Sequence, residues 1–241
     1  FSQLVDRVRG ALGTQVSLTV QRDGAPEPIT LTMTRQQINV FSEMLDDQIA
    51  YLSFSQFTST APDEIKAQLM PLLAQKPRAL ILDLRDNGGG FLDESIQIAD
   101  FFLKAGSIAT EKTSSGEQRR FTARDGDFAE EVPLIVLVNR NSASASEIVA
   151  GALQDRGRAV LIGQRTFGKG SVQRLFTLSD GSQLRVTQGA WYTPNETPIE
   201  RQGDALGGLL PDVVVELPSD GSRPQGDPIL EAALEYIREN F

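Results

Sequence analysis

The first part of the chain alternates apolar and polar residues with the two-residue period of β-strands. Two such runs, residues 16–20 and 29–33, flank an Asp23-Gly24 turn and predict a β-hairpin. Before them, residues 1–13 place apolar side chains at helical spacing and predict a short helix. A helix and a hairpin of this size bury little apolar surface, so we expect them to be the back part of a small domain whose beginning is missing.

From residue 38 onward, short continuous apolar runs alternate with amphipathic segments. This pattern is typical of a largely parallel sheet covered by helices. The predicted strands span residues 49–54, 79–84, 134–138 and 159–162, and the predicted helices span 62–74, 92–103 and 146–154. The pattern beyond residue 172 becomes antiparallel, with strands over 175–178 and 184–191, and a helix over 228–236 follows. The predicted fold class is therefore α/β with an antiparallel portion.

Two segments lack either pattern. Residues 110–131 are polar, and the part between 112 and 131 is predicted to form an exposed coil. Residues 203–211 are rich in glycine and leucine and predict a loop.

Charge and hydropathy limit the classes of partner. The 241 residues include 32 acidic and 23 basic side chains, for a net charge of -9, which disfavours nonspecific binding to nucleic acid or anionic lipid. No apolar run approaches the length that crosses a bilayer, and no leader pattern is evident, so we expect a soluble chain.

The chain contains neither cysteine nor histidine. Disulfides, thiol nucleophiles and zinc-thiolate sites are therefore excluded, and so is any Ser-His-Asp triad. Acid-base chemistry near neutral pH would have to use a carboxylate or a lysine whose pKa is shifted by burial, or a tyrosine.

The first candidate for chemistry is the run Asn141-Ser-Ala-Ser-Ala-Ser-Glu147, which lies between a predicted strand and a predicted helix. Small side chains allow a sharp turn and close approach of a substrate, and free backbone N–H groups at a helix start can hold an oxyanion. The more ordinary interpretation is a helix cap, with Ser144 or Ser146 at the cap and Glu147 in the first turn.

The second candidate is Lys169, which lies between two glycines in the run Thr166–Gln173. The glycines would let the loop approach another backbone, and Phe167 and Val172 would exclude water from the amine, which favours its neutral form. A solvated turn lysine or a phosphate-binding loop are the alternatives. The nucleotide-binding pattern fits up to the lysine, but glycine stands where a Mg²⁺-binding hydroxyl is required.

The third candidate is Asp83–Gly90, a strand end that runs into a glycine turn and then a helix. Its backbone N–H groups could supply half of an oxyanion hole. A dinucleotide-binding turn is the alternative, but the Gly-x-Gly-x-x-Gly spacing is absent, and a plain turn is the simplest interpretation.

Together, the glycine turn, the Ser-Ala-Ser-Ala-Ser-Glu run and the Thr-Phe-Gly-Lys-Gly-x-Val-Gln run resemble the carboxyl-terminal processing peptidases, also called tail-specific proteases. The resemblance covers roughly residues 38–216. It implies that Ser144 is the nucleophile, that Lys169 is the base, and that Gln173 orients the lysine. It also implies a ClpP/crotonase-like layered α/β core.

The same resemblance implies an oxyanion hole made of the backbone N–H of Ala145 and of either Gly90 or Gly89. It implies no cofactor and no metal. The sequence departs from many relatives at Gly88, where they have proline.

The resemblance also divides the chain into three parts. Residues 1–37 are similar to the C-terminal part of a PDZ domain, a module that binds peptide ends as an added strand. Residues 38–216 would be the peptidase core, and residues 217–241 would be a C-terminal tail and helix. The family's carboxylate-binding loop and first PDZ strands are absent from this sequence.

The function that the resemblance implies is a serine endopeptidase that cleaves proteins near their C-terminus through an acyl-enzyme. The expected partners are unfolded or C-terminally exposed proteins, together with an adaptor or activator protein and, in a homo-oligomer, further copies of the chain. The implied location is the bacterial periplasm or cell envelope. Two alternatives are a noncatalytic binding module of the same fold and a resting enzyme that needs its PDZ portion or an adaptor for activation.

Overall fold

The computed structural model describes residues 8, 10–11, 13–21, 27–34, 39–200, 206–218 and 226–241. The chain divides into two units, residues 1–39 and residues 40–241. Within the described ranges, no helix is both long and apolar enough to cross a bilayer.

The first unit contains the hairpin that the sequence predicts. Strands β1 (Gln15–Val20) and β2 (Ile29–Thr34) pair antiparallel in continuous register. The predicted Asp23-Gly24 turn and most of the predicted helix over 1–13 lie outside the described residues. Assignment of this unit to a PDZ domain stays a prediction.

The second unit is built on a six-stranded sheet, whose strands are β3 (Val40–Leu45), β4 (Ile49–Phe54), β5 (Ala79–Asp83), β8 (Leu134–Val138), β9 (Ala159–Gly163) and β12 (Val213–Val214). Their order is β12-β9-β8-β5-β4-β3, in which β3 is antiparallel to β4 and the other neighbours are parallel.

The second unit also has an antiparallel four-stranded sheet, whose strands are β6 (Gly106–Thr113), β7 (Gln118–Ala123), β10 (Ser171–Thr177) and β11 (Gln183–Tyr192). Their order is β10-β11-β6-β7.

Helices cover both faces of the six-stranded sheet. They are α1 (Ala61–Leu73), α2 (Leu92–Asp100), α3 (Ala145–Asp155) and α4 (Pro228–Asn240). Along β5, Leu80 and Leu82 pack into the cluster that contains the apolar sides of α1, α2 and α3, while Ala79 and Ile81 pack into the cluster that contains α4. Because both faces of the sheet are covered, β8 is apolar at every position and β5 is apolar up to its last residue, Asp83, which confirms the α/β prediction.

The prediction of an exposed coil over 112–131 is wrong for its first part, because the end of β6 and the whole of β7 lie there. Only alternate residues of β7 point inward, and its apolar content is correspondingly low. Phe121 is buried against Trp191, with 5.7 Å between the ring centroids. The sequence pattern also missed β3 entirely.

The parallel strands β5, β8 and β9 end at the same edge of the sheet. The three candidate segments follow these three strands directly. A strand edge of this kind is where α/β proteins place their ligands and reactive groups.

Candidate functional site

Backbone hydrogen bonds join the three candidate loops at this edge. The N–H of Ala143 donates to the carbonyl of Asn87, at 3.1 Å, and the N–H of Phe167 donates to the carbonyl of Ser142, at 3.0 Å. The serine loop therefore lies between the glycine turn and the lysine loop.

The three serines of the alternating run have different surroundings. Ser142 is buried and its hydroxyl donates to the carbonyl of Leu84, at 2.8 Å. Ser146 is buried and its hydroxyl donates to the carbonyl of Asn87, at 2.8 Å. Ser144 is only half-buried. Ser142 and Ser146 thus hold the loops together, and Ser144 is the serine that a substrate can reach.

Ser144 also has an unusual backbone conformation. It immediately precedes the first residue of α3, with φ 57° and ψ -115°, a region that residues with a Cβ rarely adopt. A sharp, strained strand-to-helix turn of this kind is how α/β hydrolases expose a nucleophilic serine. The helix begins one residue earlier than the sequence predicts, so Ala145 presents its N–H at the helix start.

The carboxylate of Glu147 connects the serine loop to the lysine loop. Its Oε2 accepts the backbone N–H of Ser144, at 2.8 Å, and of Lys169, at 2.9 Å. Its Oε1 accepts the hydroxyl of Thr166, at 2.6 Å, and the N–H of Gly168, at 2.7 Å. Burial raises the pKa of the Glu147 carboxyl above its ordinary value, and these four hydrogen bonds oppose the rise.

Replacing Glu147 with glutamine tests this connection. Each carboxylate oxygen of Glu147 accepts two hydrogen bonds, and the glutamine side chain would replace one of these oxygens with an NH₂ group, which cannot accept them. We therefore expect the free energy of unfolding to fall by about 2–4 kcal/mol. Urea denaturation measures the change, and Glu117→Gln, at an exposed position, is the matched control. A loss equal to that of the control would show that Glu147 does not hold the loops.

The glycine turn lies against the serine loop so closely that side chains are excluded. At Gly89, with φ +102°, a Cβ would be 2.9 Å from the Cβ of Ser144 and 3.0 Å from the nitrogen of Ala145. At Gly90, with φ +154°, a Cβ would be 2.2 Å from the carbonyl oxygen of Phe57. Glycine is required at both positions for these approaches.

The two glycines differ in the use of their N–H groups. Gly89 donates to Oδ1 of Asn87, at 3.0 Å. In the described part of the chain, no hydrogen bond uses the N–H of Gly90 or that of Ala145. Of the two glycines that the sequence left open, Gly90 is therefore the one whose N–H is available to a ligand.

Lys169 is exposed, and the surroundings expected to exclude water from it do not do so. Phe167 is 65% exposed, and Val172 is half-buried. The physical reason is that the N–H groups of Gly168 and Lys169 point inward to Glu147, which leaves the side chain of Lys169 on the outer side of the loop. The expected burial of the amine is absent from this structure.

The glycines beside the lysine confirm the expectation that this loop packs against another backbone. A Cβ at Gly168 would be 2.8 Å from the nitrogen of Gly208, and one at Gly170 would be 2.3 Å from the nitrogen of Glu200. The glycines serve contacts within the protein, which disfavours the phosphate-binding alternative.

Gln173 lies on β10, four residues beyond Lys169, and is exposed. A register irregularity separates it from Val172 in the pairing with β11. Within the described ranges, no hydrogen bond joins Gln173 to Lys169, so its expected orienting role stays a prediction.

Sequence reasoning missed the structural roles of Glu147, Thr166 and Asn87. The sequence pattern predicts only that Glu147 is an acid in the first turn of the helix, yet it is fully buried. Asn87 is also fully buried; it holds Phe54 through its side-chain NH₂ group, at 2.8 Å, and Ser146 through its carbonyl. The local signal was a Ser-x-x-Glu run just before an apolar helix, which is typical of a capping box, but only tertiary contacts reveal the second loop.

The site is centred on a serine at the carboxyl edge of an α/β sheet. This serine is strained and accessible, lies just before a helix, and faces a glycine turn. The sequence profile of peptidase family S41 matches residues 48–215. The chain belongs to this family.

Individual relatives agree with the family assignment. The chain is 40% identical over 225 residues to the "Carboxy-terminal-processing protease" of Bartonella bacilliformis, covering 90% of this chain and 51% of that protein. It is 42% identical over 219 residues to the "Carboxyl-terminal-processing protease" of Synechocystis, covering 88% and 50%. The chain thus spans about half the length of these curated relatives.

A solved structure also matches the fold. The structure of a "photosystem II D1 C-terminal processing protease" superimposes with a TM-score of 0.67 and 31% identity, covering 86% of this chain and 57% of that one. The similarity extends beyond the residues that the family profile matches.

Proposed function

We propose that this chain is the catalytic part of a serine endopeptidase that cleaves polypeptides near their C-terminus, with Ser144 as nucleophile and Lys169 as base. The single observation that supports the proposal most is the position of Ser144. It is the accessible serine of its run, it immediately precedes α3 in a strained conformation, and Glu147 connects its backbone to that of Lys169.

In the proposed first step, the neutral amine of Lys169 takes the proton of the Ser144 hydroxyl while the serine oxygen attacks the scissile carbonyl. The tetrahedral intermediate carries its negative charge at the N–H groups of Ala145 and Gly90. Lysine then protonates the departing amine, leaving an ester between Ser144 and the acyl part of the substrate. Water attacks this ester, with lysine again as base, and the peptide acid is released.

The exposure of Lys169 adds a condition to this mechanism. The mechanism uses the neutral amine, and exclusion of water favours that form, so a substrate chain would have to cover the lysine loop before proton transfer. Phe167, two residues before Lys169 in the chain, is 65% exposed and would contribute apolar surface to such a cover. A resting form that becomes competent on engagement of a substrate or an adaptor is compatible with this arrangement, and Gln173 would orient the amine in the engaged form.

The names of the relatives suggest the substrate class. Two are called carboxy-terminal or carboxyl-terminal processing proteases, and we propose the same class of substrate here: unfolded proteins or proteins with an exposed C-terminal tail. We also propose an extracytoplasmic site of action, which the resemblance to this family implies. We propose adaptor binding and self-association on the same family resemblance.

Labelling with a serine-directed acylating probe, such as a fluorophosphonate, tests the proposal against the noncatalytic alternative. We expect one covalent adduct, which peptide mass spectrometry places on Ser144. Ser115, which is exposed on the turn between β6 and β7, provides the internal control for nonspecific reaction. Absence of an adduct at Ser144 in a folded chain that is shown separately to bind polypeptide tails would favour a binding module.

A further inference from the structure

Arg85 connects the glycine turn to the last helix of the chain. Its Nη1 donates to both carboxylate oxygens of Asp227, at 2.6 and 2.9 Å. Its Nε donates to Asp83, at 2.9 Å to each oxygen, and its Nη2 donates to Asp83 Oδ2, at 2.6 Å. The guanidinium is therefore held on two sides in the bidentate geometry that arginine favours.

Asp83 provides a fixed base for this arrangement. It is the last residue of β5 and is 5% exposed. Its carboxylate also accepts the hydroxyl of Tyr51, at 2.7 Å, and the backbone N–H of Arg85, at 2.9 Å. Burial and the neighbouring Asp83 raise the pKa of Tyr51 to about 12, so the phenol stays a donor at any physiological pH.

Asp227 has a second role at the start of α4. Its Oδ1 accepts the backbone N–H of Leu230, at 3.1 Å, and so caps the helix. Helix α4 itself is anchored by Ile229, Ala233 and Ile237, which are buried against the sheet. The carboxylate that pairs with Arg85 is therefore attached to a rigid element.

The turn that begins after Arg85 is held from both faces of the sheet. On the face covered by α3, buried Asn87 receives the hydroxyl of Ser146. On the face covered by α4, Arg85 is held by Asp83 and Asp227. Gly90 lies only a few residues farther along the same turn.

We propose that the Arg85–Asp227 ion pair is a positioning element for the oxyanion turn, so that helix α4 contributes to the rate of acyl transfer. This inference rests on the proposed peptidase function. Oxyanion donors act at about 2.7–3.1 Å, and displacement of a reacting group by about 1 Å costs up to about 100-fold in rate. Loss of the ion pair with Asp227 leaves Arg85 held by Asp83 alone, so the turn becomes less fixed on the α4 side while the rest of the site is unchanged.

Asp227→Asn is the principal test. Asparagine caps helices as well as aspartate does and has the same shape, so α4 is retained while the charge that holds Arg85 is lost. We expect kcat to fall about tenfold, with KM within about twofold of the wild-type value. Labelling of Ser144 by the fluorophosphonate probe is expected to slow by a similar factor, because its transition state uses the same N–H groups. Asp227→Ser, which keeps a capping oxygen but cannot reach Arg85, is expected to lose at least as much.

Asp47→Asn is the matched control. Asp47 pairs with Arg238 near the other end of α4, at 3.3 Å, and this exposed ion pair does not touch the turn. We expect Asp47→Asn to keep the wild-type kcat. Thermal unfolding of each variant separates stability from turnover.

Three results decide the inference. A wild-type kcat in both Asp227 variants would overturn it, even if their Tm values fall, because the ion pair would then be structural only. An equal loss of kcat in Asp47→Asn would overturn it as well, since any loosening of α4 would have the same effect. A wild-type chain that neither cleaves nor labels would refute the proposed function, and this inference with it.

Discussion

Ser144→Ala is expected to reduce cleavage of an unfolded protein with an apolar C-terminal tail by at least about 10⁴-fold. The hydroxyl is the group that forms the acyl-enzyme, and no other serine of the run can replace it. Ser142 and Ser146 are buried, and their hydroxyls are engaged by the carbonyls of Leu84 and Asn87. Initial rates, measured by the appearance of new C-termini, give the loss.

Ser115→Ala is the control for this variant, because it removes an exposed hydroxyl far from the loops in sequence, and we expect the wild-type rate. The Ser144→Ala chain is also expected to fold normally, with an unchanged or slightly higher Tm. Appreciable residual cleavage in Ser144→Ala, freed of contaminating proteases, would contradict the assignment of the nucleophile.

Replacement of Lys169 separates a base from a simple positive charge. Arginine keeps the charge but does not deprotonate in proteins, whereas alanine removes both charge and amine. If Lys169 takes the proton of Ser144, Lys169→Arg and Lys169→Ala both lose activity, by about 10³-fold or more. Lys104→Arg, at an exposed ion pair with Glu131, is the matched control.

The pH dependence gives an independent check on the same residue. The base must be unprotonated, so added protons at low pH block the reaction and the wild-type rate should rise with pH to a plateau through a single group. Activity retained in Lys169→Arg, or a rate that is flat from mildly acidic to mildly alkaline pH, would show that another group takes the proton.

The accuracy of the sequence predictions followed the depth of burial. Strands β4 and β8 have the bounds that their apolar runs predict, because β8 is buried at every residue and β4 at every residue but Tyr51 and Ser53. Strand β7 was missed because it buries only alternate residues. The exposure of Phe167 in the lysine loop was also not predicted from the sequence. It depends on the direction of the loop backbone, which is fixed by the N–H of Gly168 pointing inward to Glu147.

The candidate site shows the same division. The types of residue in each loop were readable from the sequence, and so was their position after β5, β8 and β9. The choice of Gly90 over Gly89 as the available donor required the contact between Gly89 and Asn87. The connection through Glu147 required two loops that are distant in sequence to meet.

The sequence by itself determined the α/β class, the three loops that carry the candidate chemistry, and the exclusion of histidine and cysteine chemistry. These properties depend on composition and on local periodicity, which every short segment carries independently. Only the tertiary structure decided which serine is accessible, which N–H groups are available, and that Arg85 is held by a helix far along the chain. Those properties depend on hydrogen bonds and packing between distant segments, and no local pattern records them.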